Sequence, residues 1–238
     1  MIKAILFDLD GTLLPMNQDE FVNGYFGLLC KKLVPYGYEP KAVIDGIWKG
    51  TVAMIKNNGS KLNEEVFWEV FSDVMGKEIL EYKPVFDEFY MDEFKKTKEC
   101  CGYTPAAREI IDMIKELGCR IICATNPIFP ELATRHRMNF AGLDASDFEY
   151  FTHYENSRYC KPNPKYFQEV LNKCGLKPDE CIMVGNDATE DMAASSLGIK
   201  VFLLTDCLIN SKNVDLSNVL QGNFSDLKKY ILQVINNN

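Results

Sequence analysis

The chain has 238 residues, 47% of them hydrophobic and 25% charged, with a formal net charge of −8. Such a length and composition suit one large globular domain, or a core with a smaller companion. The acidic balance argues against a nucleic-acid backbone as partner and fits poorly with an anionic membrane surface, while a phosphorylated small substrate stays open because a bound cation can reverse the local field.

Ile2 to Phe7 is the first predicted strand, an apolar run that ends at Asp8. Charges interrupt the N-terminus at once, so it reads neither as a signal peptide nor as a spanning segment. From Pro15 to Tyr103 no convincing strand follows. Phe21, Tyr25, Phe26, Leu29 and Leu33 fall at helical spacing, as do Phe67, Val70, Phe71 and Val74. Lys31 to Pro40 and Asn57 to Ser60 read as loops. Residues 15–103 are therefore predicted to be an all-helical subdomain inserted after the first strand, with the aromatic stripes as its core rather than a ligand box.

Helices and strands then alternate. Helices are predicted over Pro105–Leu117, Glu131–Met138, Pro164–Cys174 and Glu190–Leu197, and strands over Arg120–Ala124, Glu149–Thr152, Cys181–Val184 and Lys200–Leu204. This rhythm implies a mostly parallel sheet covered on both faces, an α/β core built from residues 1–14 and 104–238. Gly118, Gly175 and Gly198 each follow a predicted helix, where a left-handed cap is wanted. The tail Asn236–Asn238 is the one low-complexity segment. The nine cysteines are scattered without a CxxC pair, so they read as reduced thiols of a cytoplasmic protein, and the adjacency of Cys100 and Cys101 as accidental.

Four segments carry chemistry. Asp8-Leu9-Asp10-Gly11-Thr12-Leu13 follows the first strand; residues two apart in extended chain point to one side, so Asp8 and Asp10 emerge together at a strand's carboxyl end. Ala124-Thr125-Asn126-Pro127 closes the second strand with a hydroxyl and amides able to hold a phosphoryl oxygen. Cys160-Lys161-Pro162 offers a point charge before a helix. Gly185-Asn186-Asp187-Ala188-Thr189-Glu190-Asp191 closes the fourth strand, with Asp187 and Asp191 at DxxxD spacing. Each has a bland reading as turn, cap or surface charge. In a parallel sheet, however, all four meet at one edge. Asp8, Asp10, Asp187 and Asp191 against Lys161 leave a balance of −3, which implies a hard divalent cation. With only His136 and His153 in the chain, zinc is disfavoured.

In order, spacing and strand context these four segments resemble the signature motifs of the haloacid dehalogenase superfamily, over residues 1–14 and about 104–210. The resemblance implies a Rossmann-like core, a Mg²⁺ cofactor, and a helical cap at residues 15–103 that selects the substrate. It implies Asp8 as nucleophile forming an aspartyl-phosphate, Asp10 as general acid and base, and Lys161 as a stabilising cation. Phosphate binding would fall to Gly11, Thr12, Thr125, Asn126 and Lys161. Metal binding would fall to Asp8, Asp10, Asp187 and Asp191, with Asn186 competing with Asp187 for one position and Asp191 serving as outer ligand or as orienter of Lys161. Arg158 reads as a solvated arginine. The expected activity is phosphate-monoester hydrolysis of a small metabolite by a monomer or weak dimer without nucleic-acid or membrane partners. A sugar-phosphate mutase is the near alternative, and a 2-haloacid dehalogenase a more remote one, since it would not need Asp10. A non-catalytic module of the same fold is disfavoured by the complete set of acids and Lys161.

Overall fold

The computed structural model describes residues 1–236. Its centre is a six-stranded sheet in the order β3-β2-β1-β4-β5-β6, formed by β1 (Ala4–Phe7), β2 (Arg120–Cys123), β3 (Tyr150–Phe151), β4 (Cys181–Gly185), β5 (Lys200–Leu204) and β6 (Leu220–Gly222). All five pairings are parallel. Side chains alternate across the sheet. Ile5, Phe7, Ile121, Cys123, Ile182, Val184, Phe202 and Leu204 face α5 (Pro105–Glu116) and α8 (Phe224–Asn236). Ala4, Leu6, Ile122, Met183, Val201 and Leu203 face α7 (Pro164–Cys174). Burial on both faces is why these strands read as continuous apolar runs rather than alternating ones.

Between β1 and α5 the chain forms α1 (Gln18–Leu33), α2 (Pro40–Ile55), α3 (Asn63–Met75) and α4 (Lys83–Met91), with 3-10 turns at Lys77–Tyr82 and Glu93–Cys100. The Asn17 side chain starts α1 by accepting from the amides of Asp19 and Glu20 at 3.0 and 3.2 Å. These helices build their own apolar cluster around Leu29, Phe71, Phe89 and Phe94, which also takes in Ala133 and Cys160. The segment's two ends run side by side: Met16 and Cys101 form an antiparallel bridge, and the Gly102 amide donates to the Pro15 carbonyl at 2.7 Å.

The structure departs from the sequence expectations in a few places. The predicted loop Lys31–Pro40 is shorter, because α1 continues to Leu33 and Pro40 opens α2, where a first helical turn accepts proline. The predicted helix Glu190–Leu197 is a 3-10 turn at Met192–Leu197; the acids before it are tied to nearby amides and do not start an α-helix. β6 and α8 went unpredicted. After β2 the chain forms α6 (Glu131–Phe140), two residues longer than expected. Of the tail singled out by composition, residues 237–238 lie outside the described residues. No helix among the described residues is long and apolar enough to cross a membrane.

Candidate active site

Register fixes the site. Phe7 is aligned with Cys123 on one side and Val184 on the other, so the residues that follow emerge together at the sheet's carboxyl edge. The Asp8 amide still donates to the Val184 carbonyl at 2.8 Å, and the chain then turns through Leu9–Leu14. Gly11 makes that turn with φ +81°, and a methyl on it would meet Asn186 Nδ2 at 2.2 Å. Thr12 Oγ1 lies 3.2 Å from Asp8 Oδ2 and 3.1 Å from Asn186 Oδ1. Its single proton serves one acceptor at a time. The amides of Gly11 and Thr12 are taken up inside the turn by Leu14 and Leu9 carbonyls.

Lys161 is fully buried, and its Nζ sits between Asp8 Oδ1 at 2.9 Å and Asp191 Oδ1 at 2.7 Å. Burial alone would lower its pKa; Asp191 and Asp8 carry it well above the ordinary lysine value. Asp8, by contrast, is pushed up to about 7, because burial outweighs the pull of Lys161. The remaining oxygen of Asp191 accepts from the amides of Asn186 and Asp187, both at 2.9 Å. That arrangement is possible only because Gly185 lacks a side chain: a methyl there would lie 2.1 Å from Asp191 Oδ2. Gly185→Ala is expected to expel that carboxylate and to cost about 1–3 kcal/mol or more, as overpacking does. An unchanged urea midpoint would contradict this account.

Asp10 meets a partner that sequence reasoning missed. Arg137 of α6 is fully buried and forms an ion pair with Asp10 Oδ2. Its other contacts are Thr134 Oγ1 at 3.2 Å, the Ala133 carbonyl at 3.4 Å and the Phe129 ring at 4.6 Å. Asp10 is nonetheless raised from the usual carboxylate value, since burial exceeds the opposing effect of Arg137. A cue was present in the sequence, for Arg137 lies one helical turn after Ala133 on the buried face of α6. Glu190 was missed as well. It accepts from Asn126 Nδ2 at 3.0 Å and is pushed up to about 7 by burial. Counted as formal charges, Arg137 and Glu190 cancel, so the formal balance reckoned from the sequence is unaltered by them.

A cleft of about 280 Å³ opens onto these groups. Asp8, Asp10, Thr125, Asn126, Asp187, Glu190 and Asp191 line it from the sheet side, and Phe21, Val22, Trp48, Thr51 and Ile55 from the inserted helices. Thr125 is held there through its carbonyl, which accepts from Thr152 Oγ1 at 2.6 Å and Tyr166 Oη at 2.8 Å. Asn126 Oδ1 accepts from the Lys161 amide at 3.2 Å. Gly11 and Thr12 border a different cavity, with Thr104 and Asp206. Arg158 is exposed and donates to the Ser60 carbonyl at 3.2 Å, away from the cleft.

Several oxygens here suit a hard cation. Among the described residues, Asp10 Oδ1 is buried without a hydrogen-bond partner. Asp187 Oδ1 accepts from the Thr189 and Glu190 amides at 2.6 and 2.8 Å, and among the described residues its Oδ2 has no hydrogen bond. Asp191 has both oxygens engaged, one by Lys161 Nζ and the other by the Asn186 and Asp187 amides. Asn186 is committed too, through Nδ2 to the Cys207 carbonyl at 2.7 Å and Oδ1 beside Thr12. Among the described residues no three His, Cys, Asp or Glu side chains form a metal-holding cluster on their own. A bound ion would fill out its shell with backbone carbonyl and water, as suits Mg²⁺.

The family model for haloacid dehalogenase-like hydrolases matches residues 2–198. Over 210 residues the chain is 25% identical to a phosphoglycolate phosphatase of Vibrio parahaemolyticus, covering 86% of this chain and 84% of the relative. Over 206 residues it is 28% identical to a glyceraldehyde 3-phosphate phosphatase of Pyrococcus furiosus, covering 84% and 79%. Among solved structures, a 2-haloacid dehalogenase from Pseudomonas syringae pv. Tomato superposes with a TM-score of 0.65 at 18% identity, covering 98% of this chain and 100% of that one, a likeness of fold.

Proposed function

This chain belongs to the haloacid dehalogenase-like hydrolases, and from that premise we propose that it hydrolyses a small phosphorylated metabolite with Mg²⁺ through an aspartyl-phosphate (an acyl phosphate) on Asp8. The enzyme is a phosphatase of that family. The observation that carries the finer reading is the pairing of two buried acids with unlike partners: Asp8 against Lys161, Asp10 against Arg137. Lys161 aligns Asp8 for attack on phosphorus and offsets charge on the transferring group. Asp10, with one oxygen fixed by Arg137 and the other free of partners, protonates the departing alkoxide and afterwards takes a proton from water. Thr125 and Asn126 line the phosphoryl position. Asp8, Asp187 and the Asp10 carbonyl would hold Mg²⁺, which would supply charge neutralisation to the phosphoryl group. Gly11 and Thr12 shape the nucleophile turn. The inserted helices, residues 15–103, act as a cap over the cleft. We place the enzyme in the cytoplasm as a monomer or weak dimer; its nine free cysteine thiols support the compartment.

The test is phosphate release from a panel of esters with Mg²⁺, with excess chelator and after Mg²⁺ is restored. Full activity in chelator would sink the metal-dependent reading. A pH dependence should accompany it. The cation needs Asp8 ionised, and Asp8 titrates near 7 without it. Below pH 7 each unit of acidity should therefore weaken Mg²⁺ binding by about tenfold, with one proton released per ion bound. Calorimetry in two buffers of different ionisation enthalpy measures both; an affinity constant between pH 5.5 and 8 would refute the assignment of Asp8 as ligand.

A further inference from the structure

The inserted helices turn an apolar wall toward the reacting acids. Trp48, Thr51 and Ile55 of α2 stand at helical spacing and line the same cleft as Asp8 and Asp10. Trp48 is 47% and Ile55 39% exposed, unusual for side chains of that size beside a cluster of acids. A second cavity of about 80 Å³ lies beside the cleft among the helices, and Val22, Trp48, Thr51, Ile128 and Phe129 border both. Aromatic rings, among them Phe67 and Trp68, line this inner cavity. The hydroxyls of Tyr25 and Tyr90, also in its wall, are 3.0 Å apart and bond to each other. The aromatic stripes form the core of these helices, as expected, with Tyr25, Phe67 and Phe71 all in it; Tyr25 and Phe67 also border the cavity.

Charge narrows the occupant further. Among the described residues no lysine, arginine or histidine lines either cavity. The two cations closest to the reacting acids are committed, Lys161 to Asp8 and Asp191, and Arg137 to Asp10. A second anionic group on the substrate would face acids at one end of the cleft and hydrocarbon at the other, with no cation to receive it. Burying an unpaired charge is costly, whereas an apolar group gains from the same surface.

We infer that the alcohol esterified to the transferred phosphate is uncharged and apolar, an alkyl or arylalkyl group that lies along Trp48 and enters the aromatic cavity. This rests on the phosphatase reading and assigns the substrate class of that site. It also separates this enzyme from a relative named for phosphoglycolate, whose leaving group bears a carboxylate.

The experiment compares kcat/KM for ethyl, butyl and hexyl phosphate, alcohols of similar leaving ability, with phosphoglycolate and pyrophosphate, all with Mg²⁺ present. The value should climb by about threefold to fourfold per buried methylene until the cavity is filled. Hexyl phosphate should exceed phosphoglycolate by at least tenfold. In Trp48→Ala the hexyl-to-ethyl ratio should fall several-fold; because it is a ratio within one variant, it does not depend on how much of that protein is folded. A flat or falling alkyl series, or a preference for phosphoglycolate, overturns the inference and leaves the phosphatase reading standing. Release of phosphate from none of these compounds overturns both.

Discussion

Asp8→Asn should abolish phosphate release, and Asp10→Asn should stop the reaction halfway, with phosphate left on Asp8. The two side chains are two residues apart, yet their surroundings differ. Asp8 points one oxygen at Lys161 Nζ, 2.9 Å away. An amide there lacks the anionic oxygen that the proposed mechanism sends at phosphorus, so no acyl phosphate can form. Asp10 is clamped by Arg137 through one oxygen, while the other has no hydrogen-bond partner among the described residues. Its amide keeps the shape but neither gives nor takes a proton. A substrate with a good leaving group can still phosphorylate Asp8, because little protonation is needed. Hydrolysis of the acyl phosphate then lacks its base, and such help is worth roughly 10²–10⁴-fold. Peptide mass spectrometry after an acid quench should find added phosphate on the Asp8 peptide of Asp10→Asn and none in Asp8→Asn. Phosphate on any other residue, or a near-wild-type rate for Asp8→Asn, would falsify the mechanism while leaving the fold untouched.

Lys161→Met should produce the largest loss of stability at any single position of the site. The substitution roughly preserves volume but strands two buried carboxylates, Asp8 and Asp191, that share one ammonium. Removing one member of a buried ion pair costs about 3–5 kcal/mol. The sign of its pH dependence follows from Asp8. Burial already raises this carboxyl, and loss of Lys161, which pulls it down, raises it further. A carboxyl whose folded pKa lies above its unfolded value of about 3.9 destabilises the fold above that value, increasingly so as pH climbs toward the folded pKa. In chelator, the deficit of Lys161→Met in urea unfolding should therefore be larger at pH 8 than at pH 5. A deficit below 1 kcal/mol, or one of equal size at both pH values, would mean that the acids relax to water and that Lys161 is not their counter-charge.

The core was legible because its physics is local. A strand buried on both faces must be an apolar run, and Ala4–Phe7, Cys181–Gly185 and Lys200–Leu204 are such runs. Polar groups at their ends gather at one edge whatever the details of packing. β6 is the reverse case, a three-residue edge strand, Leu-Gln-Gly, largely exposed and with no pattern to read. α8 did carry a pattern, with Phe224, Leu227 and Ile231 at helical spacing and the last two fully buried. Arg137 shows a different limit. Its place on a helix is visible in sequence, but its meeting with Asp10 depends on how α6 packs against the turn after β1. The same limit applies to Phe67: spacing shows which face of α3 is apolar, not whether that face meets another side chain or an empty cavity.

The hydrogen bond between Pro15 and Gly102 bears on how the chain folds. Phe7 and Cys123 are register partners although nearly half the chain lies between them. Pairing of this kind has a high contact order and is intrinsically slow. Once the inserted helices have formed and the Met16–Cys101 bridge has closed, the loop between β1 and β2 is effectively reduced to a short connection through α5. Each doubling of loop length costs about 0.6 kcal/mol, so closing the neck first lowers the entropic cost of pairing the strands by on the order of 1 kcal/mol. Local helices thereby become a nucleus for the non-local sheet, and a chain whose neck cannot close should refold more slowly even where its finished structure is equally stable.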